Sequence, residues 1–165
     1  MNRITTVAML ALVLLSLVQA AWQHGRLPAT VASHFDGSGK VNGWMPRGTQ
    51  TAWHLGTVLF MAAMFEGLVR LIARIPDEYI NIPHRDYWLA PARRSATVAR
   101  LGTLVRLTGC VVLLFFVGLF HQVYRVNTGG SDITPAIALL SGVMLVVVLA
   151  ILGATLFRFS RPPAS

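Results

Sequence analysis

Pro135-Ala136-Ile137-Ala138-Leu139-Leu140-Ser141-Gly142-Val143-Met144-Leu145-Val146-Val147-Val148-Leu149-Ala150-Ile151-Leu152-Gly153-Ala154-Thr155-Leu156-Phe157 runs 23 residues without one charged side chain. As an α-helix it would be about 34 Å long, enough to cross a hydrocarbon core about 30 Å thick. Three further stretches share this character, at 4–22, 51–73 and 102–124. They are too long and too continuous for barrel strands with alternating faces, and only helices satisfy every backbone amide in lipid. The 165-residue chain is 55% hydrophobic and only 12% charged, a balance that excludes an ordinary soluble domain. The reading is an all-α fold: one integral membrane four-helix bundle over 1–165, with an outer loop at 23–50 and an inner loop at 74–101.

The 14 Lys and Arg orient it. Arg3, Arg74, Arg85, Arg93, Arg94, Arg100, Arg158 and Arg161 fall on one side of the spans. Arg26, Lys40, Arg47 and Arg125 fall on the other, and Arg70 and Arg106 lie within spans. The positive-inside rule then places both termini and the inner loop in the cytoplasm of a bacterial cell. The formal charge of +8 is read as topology and attraction to anionic lipid, not nucleic-acid binding. Arg3, the first apolar run and Val18-Gln19-Ala20 also resemble a signal peptide, but the run continues through Trp22, which favours a retained helix. Cys110 is the single cysteine, mid-span, and reads as a packing residue.

In the outer loop, Asp36-Gly37-Ser38-Gly39 and Asn42-Gly43 supply residues suited to positive φ, so two tight reversals are expected. Trp22, Trp44 and Trp53 suit the membrane interface. Leu27-Pro28, Val31, His34-Phe35, Gly39, Asn42-Gly43-Trp44 and the basic Arg47 together resemble an uncharacterised bacterial membrane domain family, found at the N-terminal end of SdpI-type immunity proteins. The inner-loop string from Asn81 to Arg94, with Asp86, Tyr87, Trp88, Pro91, Arg93 and Arg94, is similar to stand-alone members of that family. Asn42 stands where an acidic residue is common there, and Arg47 where lysine is. The resemblance implies an immunity or signalling role and no established reaction.

His34, Asp36, His54 and His121, with His24, fall on the outer side, so they are the candidates for a metal site. Their spacing matches no ligand motif, and histidine and aspartate in a turn more often cap it. Neither a metal nor a cofactor is expected. Ser33 beside His34 lacks an orienting partner, so no catalytic residue is assigned.

Pro76, Pro83 and Pro91 break helix, so 75–90 is expected to be extended, with Tyr79, Tyr87 and Trp88 at headgroup level. From Pro91 a helix is expected to run unbroken to Tyr124. Within the spans, Glu66 and Arg70 are four apart, and Arg106 shares a face with Gly102, Gly109 and Cys110. Glu66 and Arg106 fall at similar depth, so an Arg70-Glu66-Arg106 cluster is expected, read first as a structural ion pair and second as an ion relay.

The function this supports is non-enzymatic: immunity or sensing, with a peptide or envelope component engaged outside, a cytosolic protein at the inner loop, and the bilayer all around. A transport subunit using the buried charges and a metal-dependent envelope enzyme are the alternatives. Reporter fusions after Arg161 and within 74–101 should report cytoplasm and a fusion at Gly37 the exterior. An external C-terminus would overturn the orientation.

Overall fold

The computed structural model describes residues 3–130 and 133–162. Four helices are long and apolar enough to cross a membrane: α1 (Arg3–His24), α2 (Arg47–Ile72), α4 (Pro91–Asn127) and α5 (Thr134–Phe159). Between α1 and α2 lies an antiparallel hairpin, β1 (Thr30–Phe35) and β2 (Val41–Pro46). The inner connection carries a 3₁₀ turn, Asp77–Tyr79, and the one-turn helix α3 (Arg85–Trp88).

Two expectations change here. The fold is not wholly helical, because the outer loop pairs with itself from Thr30↔Pro46 to Phe35↔Val41. Asn42-Gly43 therefore lies within β2 and makes no second reversal, and Gly43 takes no positive φ. The segment 75–90 is likewise not extended. Its prolines stop long helices but permit single turns, and His84, in the left-handed region at φ 51°, starts α3. Pro91 does occupy the first turn of α4, where its missing N–H costs nothing, and the helix runs 37 residues, about 55 Å.

The broadest helix contact is α2 on α4, with α1 packed against both and α5 chiefly on α4. Glycines on α4 set the approach. A Cβ at Gly109 would sit 2.8 Å from Phe65 Cγ, and one at Gly118 would sit 2.9 Å from Leu140 Cδ2. Met9, Val58, Phe65, Cys110, Leu113 and Phe120 form the core between these helices. Cys110 packs there with its Sγ 3.8 Å from the Thr5 carbonyl. On the outer surface Leu139, Val146 and Phe60 are exposed, a face suited to lipid. Arg26, Lys40, Arg47 and Arg125 gather at the hairpin end of the bundle, opposite Arg3 and Phe159.

A second cluster seats the hairpin: Leu27 and the fully buried Val31 pack on Val123 of α4 and on Ile133, just before α5. Asn127, the last residue of α4, completes the seat. Its Oδ1 accepts from the Ala32 amide at 2.7 Å and its Nδ2 donates to the Ala32 carbonyl at 3.0 Å, as a neighbouring strand would.

His34, Phe35, Gly39 and Trp44 take separate places in the hairpin. His34 covers Gly43 across the strands, where an added Cβ would lie 3.0 Å from the His34 Cβ. Phe35 packs on the seating cluster, and Gly39 makes the turn at φ 81°. Trp44 instead points out, 62% exposed. Asp36 closes the turn: its Oδ1 accepts from the Ser38 hydroxyl at 2.7 Å and from the Ser38 and Lys40 amides. These bonds, the Ser38 hydroxyl foremost, hold its carboxyl below the usual carboxylate range. Gly39→Val should cost about 1–2 kcal/mol through the left-handed φ, whereas His34→Gln should stay within about 0.5 kcal/mol. Thermal unfolding of both variants in detergent checks the order.

Candidate functional site

Two clefts that combine polar groups with accessible space lie at opposite ends of the bundle. At the hairpin end, a groove of about 360 Å³ opens between β1, α2, α4 and the start of α5. Its floor and walls are apolar, from Phe35, Trp53, Leu119, Phe120 and Ile137, and its polar groups come from Ser33, His34, Gln50 and Thr57. The chain folds this way because Val31 and Asn127 hold β1 over α4, leaving the hairpin as a roof.

Beside the groove, α1 turns a polar face inward. Ser16 and Gln23, seven residues apart, are buried, and the Ser16 hydroxyl shares a 2.9 Å hydrogen bond with His54 Nε2. The His54 ring lies flat on Phe120 at 3.9 Å between centroids, and the residue is 3% exposed. Gln19 donates to the Val117 carbonyl at 2.9 Å, and His24 Nδ1 shares a hydrogen bond with the Thr51 hydroxyl. These contacts tie α1 to α2 and α4. They also use up His54, which is thereby kept apart from the other metal candidates.

The four candidates do not converge. His34 bonds its neighbour Ser33, Asp36 closes the turn, and His121 lies beside the Tyr124 ring. Among the described residues no three His, Cys, Asp or Glu side chains come together. Asn42 sits exposed in β2, and Arg47 Nη1 donates to the Leu27 carbonyl at 3.0 Å.

At the other end, Arg106 and Glu66 make a two-pronged ion pair. Arg106 Nε and Nη2 donate to Glu66 Oε1 and Oε2 at 2.5 and 3.0 Å. The Arg106 side chain is 2% exposed and that of Glu66 29%, so this pair joins α2 to α4 largely out of contact with solvent. The expected third member faces the same cleft: Arg70 is exposed there, and its charge acts on Glu66 without a direct ion pair.

The inner loop is anchored, not splayed over headgroups. Trp88 is 8% exposed, its Nε1 donates to the Phe159 carbonyl at 2.8 Å, and its own carbonyl accepts from the Thr97 hydroxyl. Of the three aromatics, Tyr79 is 70% exposed, Tyr87 is half-buried and Trp88 is buried. Arg94 Nε pairs with Asp77 at 2.7 Å, Arg93 stacks on Tyr87 at 3.9 Å, and Asp86 faces Arg85 at 3.6 Å.

Sequence reading misses Asn127, Ser16 and Gln23. The polar repeat along α1 was the available signal for the last two. Asn127 carried none, because its partner lies 95 positions away.

Removing one half of the buried pair should be worse than removing both. Glu66→Gln should lower stability by about 2–3 kcal/mol, and adding Arg106→Met should recover part of it. Melting temperatures of the single and double variants in detergent check this.

Residues 11–64 match the family profile described as a domain of unknown function, DUF1648. No curated protein and no solved structure matches the chain. The matched third of the chain runs from α1 through the hairpin into α2 and stops just short of Glu66. The chain is similar to that family in the part that builds the outer roof, and the ion pair lies beyond it.

Proposed function

We propose that this is a multi-pass protein of the bacterial cytoplasmic membrane, with both termini inside, that acts by binding and not by catalysis. Its outer groove takes an apolar segment of a membrane-active peptide, in an immunity or sensing role. The observation that carries this reading is the 360 Å³ apolar groove beneath a rigid hairpin, at the level where a peptide partly inserted in the bilayer would meet the protein. The β2 strand pairs only with β1, so its outer edge is open to an added strand among the described residues. The resemblance of the hairpin string to the N-terminal domain of SdpI-type immunity proteins supports the same role. The basic Arg26, Lys40 and Arg47 on this end favour a neutral or acidic peptide over a cationic one.

Transport through the buried charges receives less support. Glu66 is committed at both oxygens to Arg106, and α5 carries no charged side chain before Arg158. The cytosolic-partner reading of the inner loop is weakened by its anchoring through Trp88.

Thr57→Trp fills the groove from α2 and leaves Val31 and Asn127, which hold the hairpin, unchanged. Cells making the native protein should survive a neutral or acidic membrane-active peptide better than cells lacking it, and Thr57→Trp should remove at least about tenfold of that protection, the equivalent of about 1.4 kcal/mol of binding. Equal protection by the native and filled proteins at equal membrane levels would overturn the reading.

A further inference from the structure

The cleft that holds Arg70 is a second feature with a ligand's shape and charge. It has a volume of about 430 Å³ and is lined by α2 and α4 alone, so it opens sideways between two helices and not into the bundle centre. Its polar wall presents Arg70, Arg94 and Arg106 against a single carboxylate, Glu66. Glu66 is taken up by Arg106, and Arg94 turns its Nε to Asp77 and its Nη2 to the Ile75 carbonyl. Arg70 keeps its charge turned to the cleft and makes no ion pair among the described residues. The remaining wall is apolar, from Val69, Ala73, Val98 and Ala99.

Depth agrees with charge. Ala73 caps the end of α2, so the cleft begins where that span leaves the hydrocarbon and extends about two turns into it, to Glu66. A guanidinium near that boundary is attracted to phosphate, and the apolar Val69, Ala73, Val98 and Ala99 around it suit the uncharged part of a lipid next to its phosphate. The volume is several times that of a phosphate group alone. We propose that the α2–α4 cleft is a binding site for one anionic phospholipid, with Arg70 receiving the headgroup phosphate and Val69 and Val98 packing against its glycerol and ester portion. A lipid held there would shield Arg70 and cover the exposed side of the Glu66–Arg106 pair.

The test uses the full chain in a neutral detergent, with phosphatidylglycerol and phosphatidylcholine of identical acyl chains as probes. Native mass spectrometry reads bound lipid, and thermal unfolding reads stabilisation. The native protein should retain phosphatidylglycerol over phosphatidylcholine about fivefold, and Arg70→Gln should bring that preference close to unity, while Arg161→Gln at the same end leaves it intact. Ala99→Trp keeps every charge but fills the cleft from an exposed wall position, so it too should lose the preference, even if Arg70→Gln folds poorly. Retention of the preference by Ala99→Trp would overturn the proposal, as would equal stabilisation by inorganic phosphate alone, since either would reduce the site to a surface charge.

Discussion

The two-pronged contact between Arg106 and Glu66 is the constraint around which the bundle is arranged. A charged group in hydrocarbon must find a partner of opposite sign, and a fork-to-fork pair imposes a rotation on both helices as well as a distance. It can form only if α2 and α4 come close, which Gly102 and Gly109 permit by presenting no side chain to Val69 and Phe65. With α2 and α4 set, α1 has one groove to occupy and α5 one face to lean on. A single electrostatic contact thereby decides the geometry of a largely apolar molecule, whose van der Waals contacts alone would discriminate weakly between rotations.

Polar side chains at the hairpin end work differently. Ser16, His54, Gln19 and Asn127 are neutral hydrogen-bonding groups, and each spans two elements. Their bonds are directional but individually modest, so they register helices against one another and hold the roof without the desolvation cost of an ion pair. The two ends are thus built on different chemistry: charge and small residues at the end bearing the termini, neutral amides and stacked rings beneath the hairpin. That division matches the two ligand classes proposed for them.

Much of this was legible in the sequence wherever one segment decides the outcome alone. Hydropathy locates all four spans, Pro91 marks the start of α4, Gly39 marks the turn, and the depths of Glu66 and Arg106 bring them together. What was not legible depends on partners distant along the chain. The strands were hidden because Thr30–Phe35 and Val41–Pro46 are too short, and Gly43 too weak a strand former, to betray pairing by alternation. Trp88 read as an interfacial ring because nothing near it announces the Phe159 carbonyl it meets 71 residues later. Arg70 read as a partner for Glu66 because helical spacing shows proximity but not which of two arginines wins both oxygens.

The clamp of Asn127 on Ala32 also fixes an order of events. The hairpin is synthesised with the first two long helices, but the amide that latches its edge sits at the far end of α4, and Val123 and Ile133, on which Val31 rests, arrive with it. Until α4 is in place, β1 offers the Ala32 N–H and C=O to water or to any strand that approaches. The roof is therefore finished late, by the third span and the segment leading into the fourth, and a chain interrupted after α2 would carry the whole hairpin yet leave it unlatched.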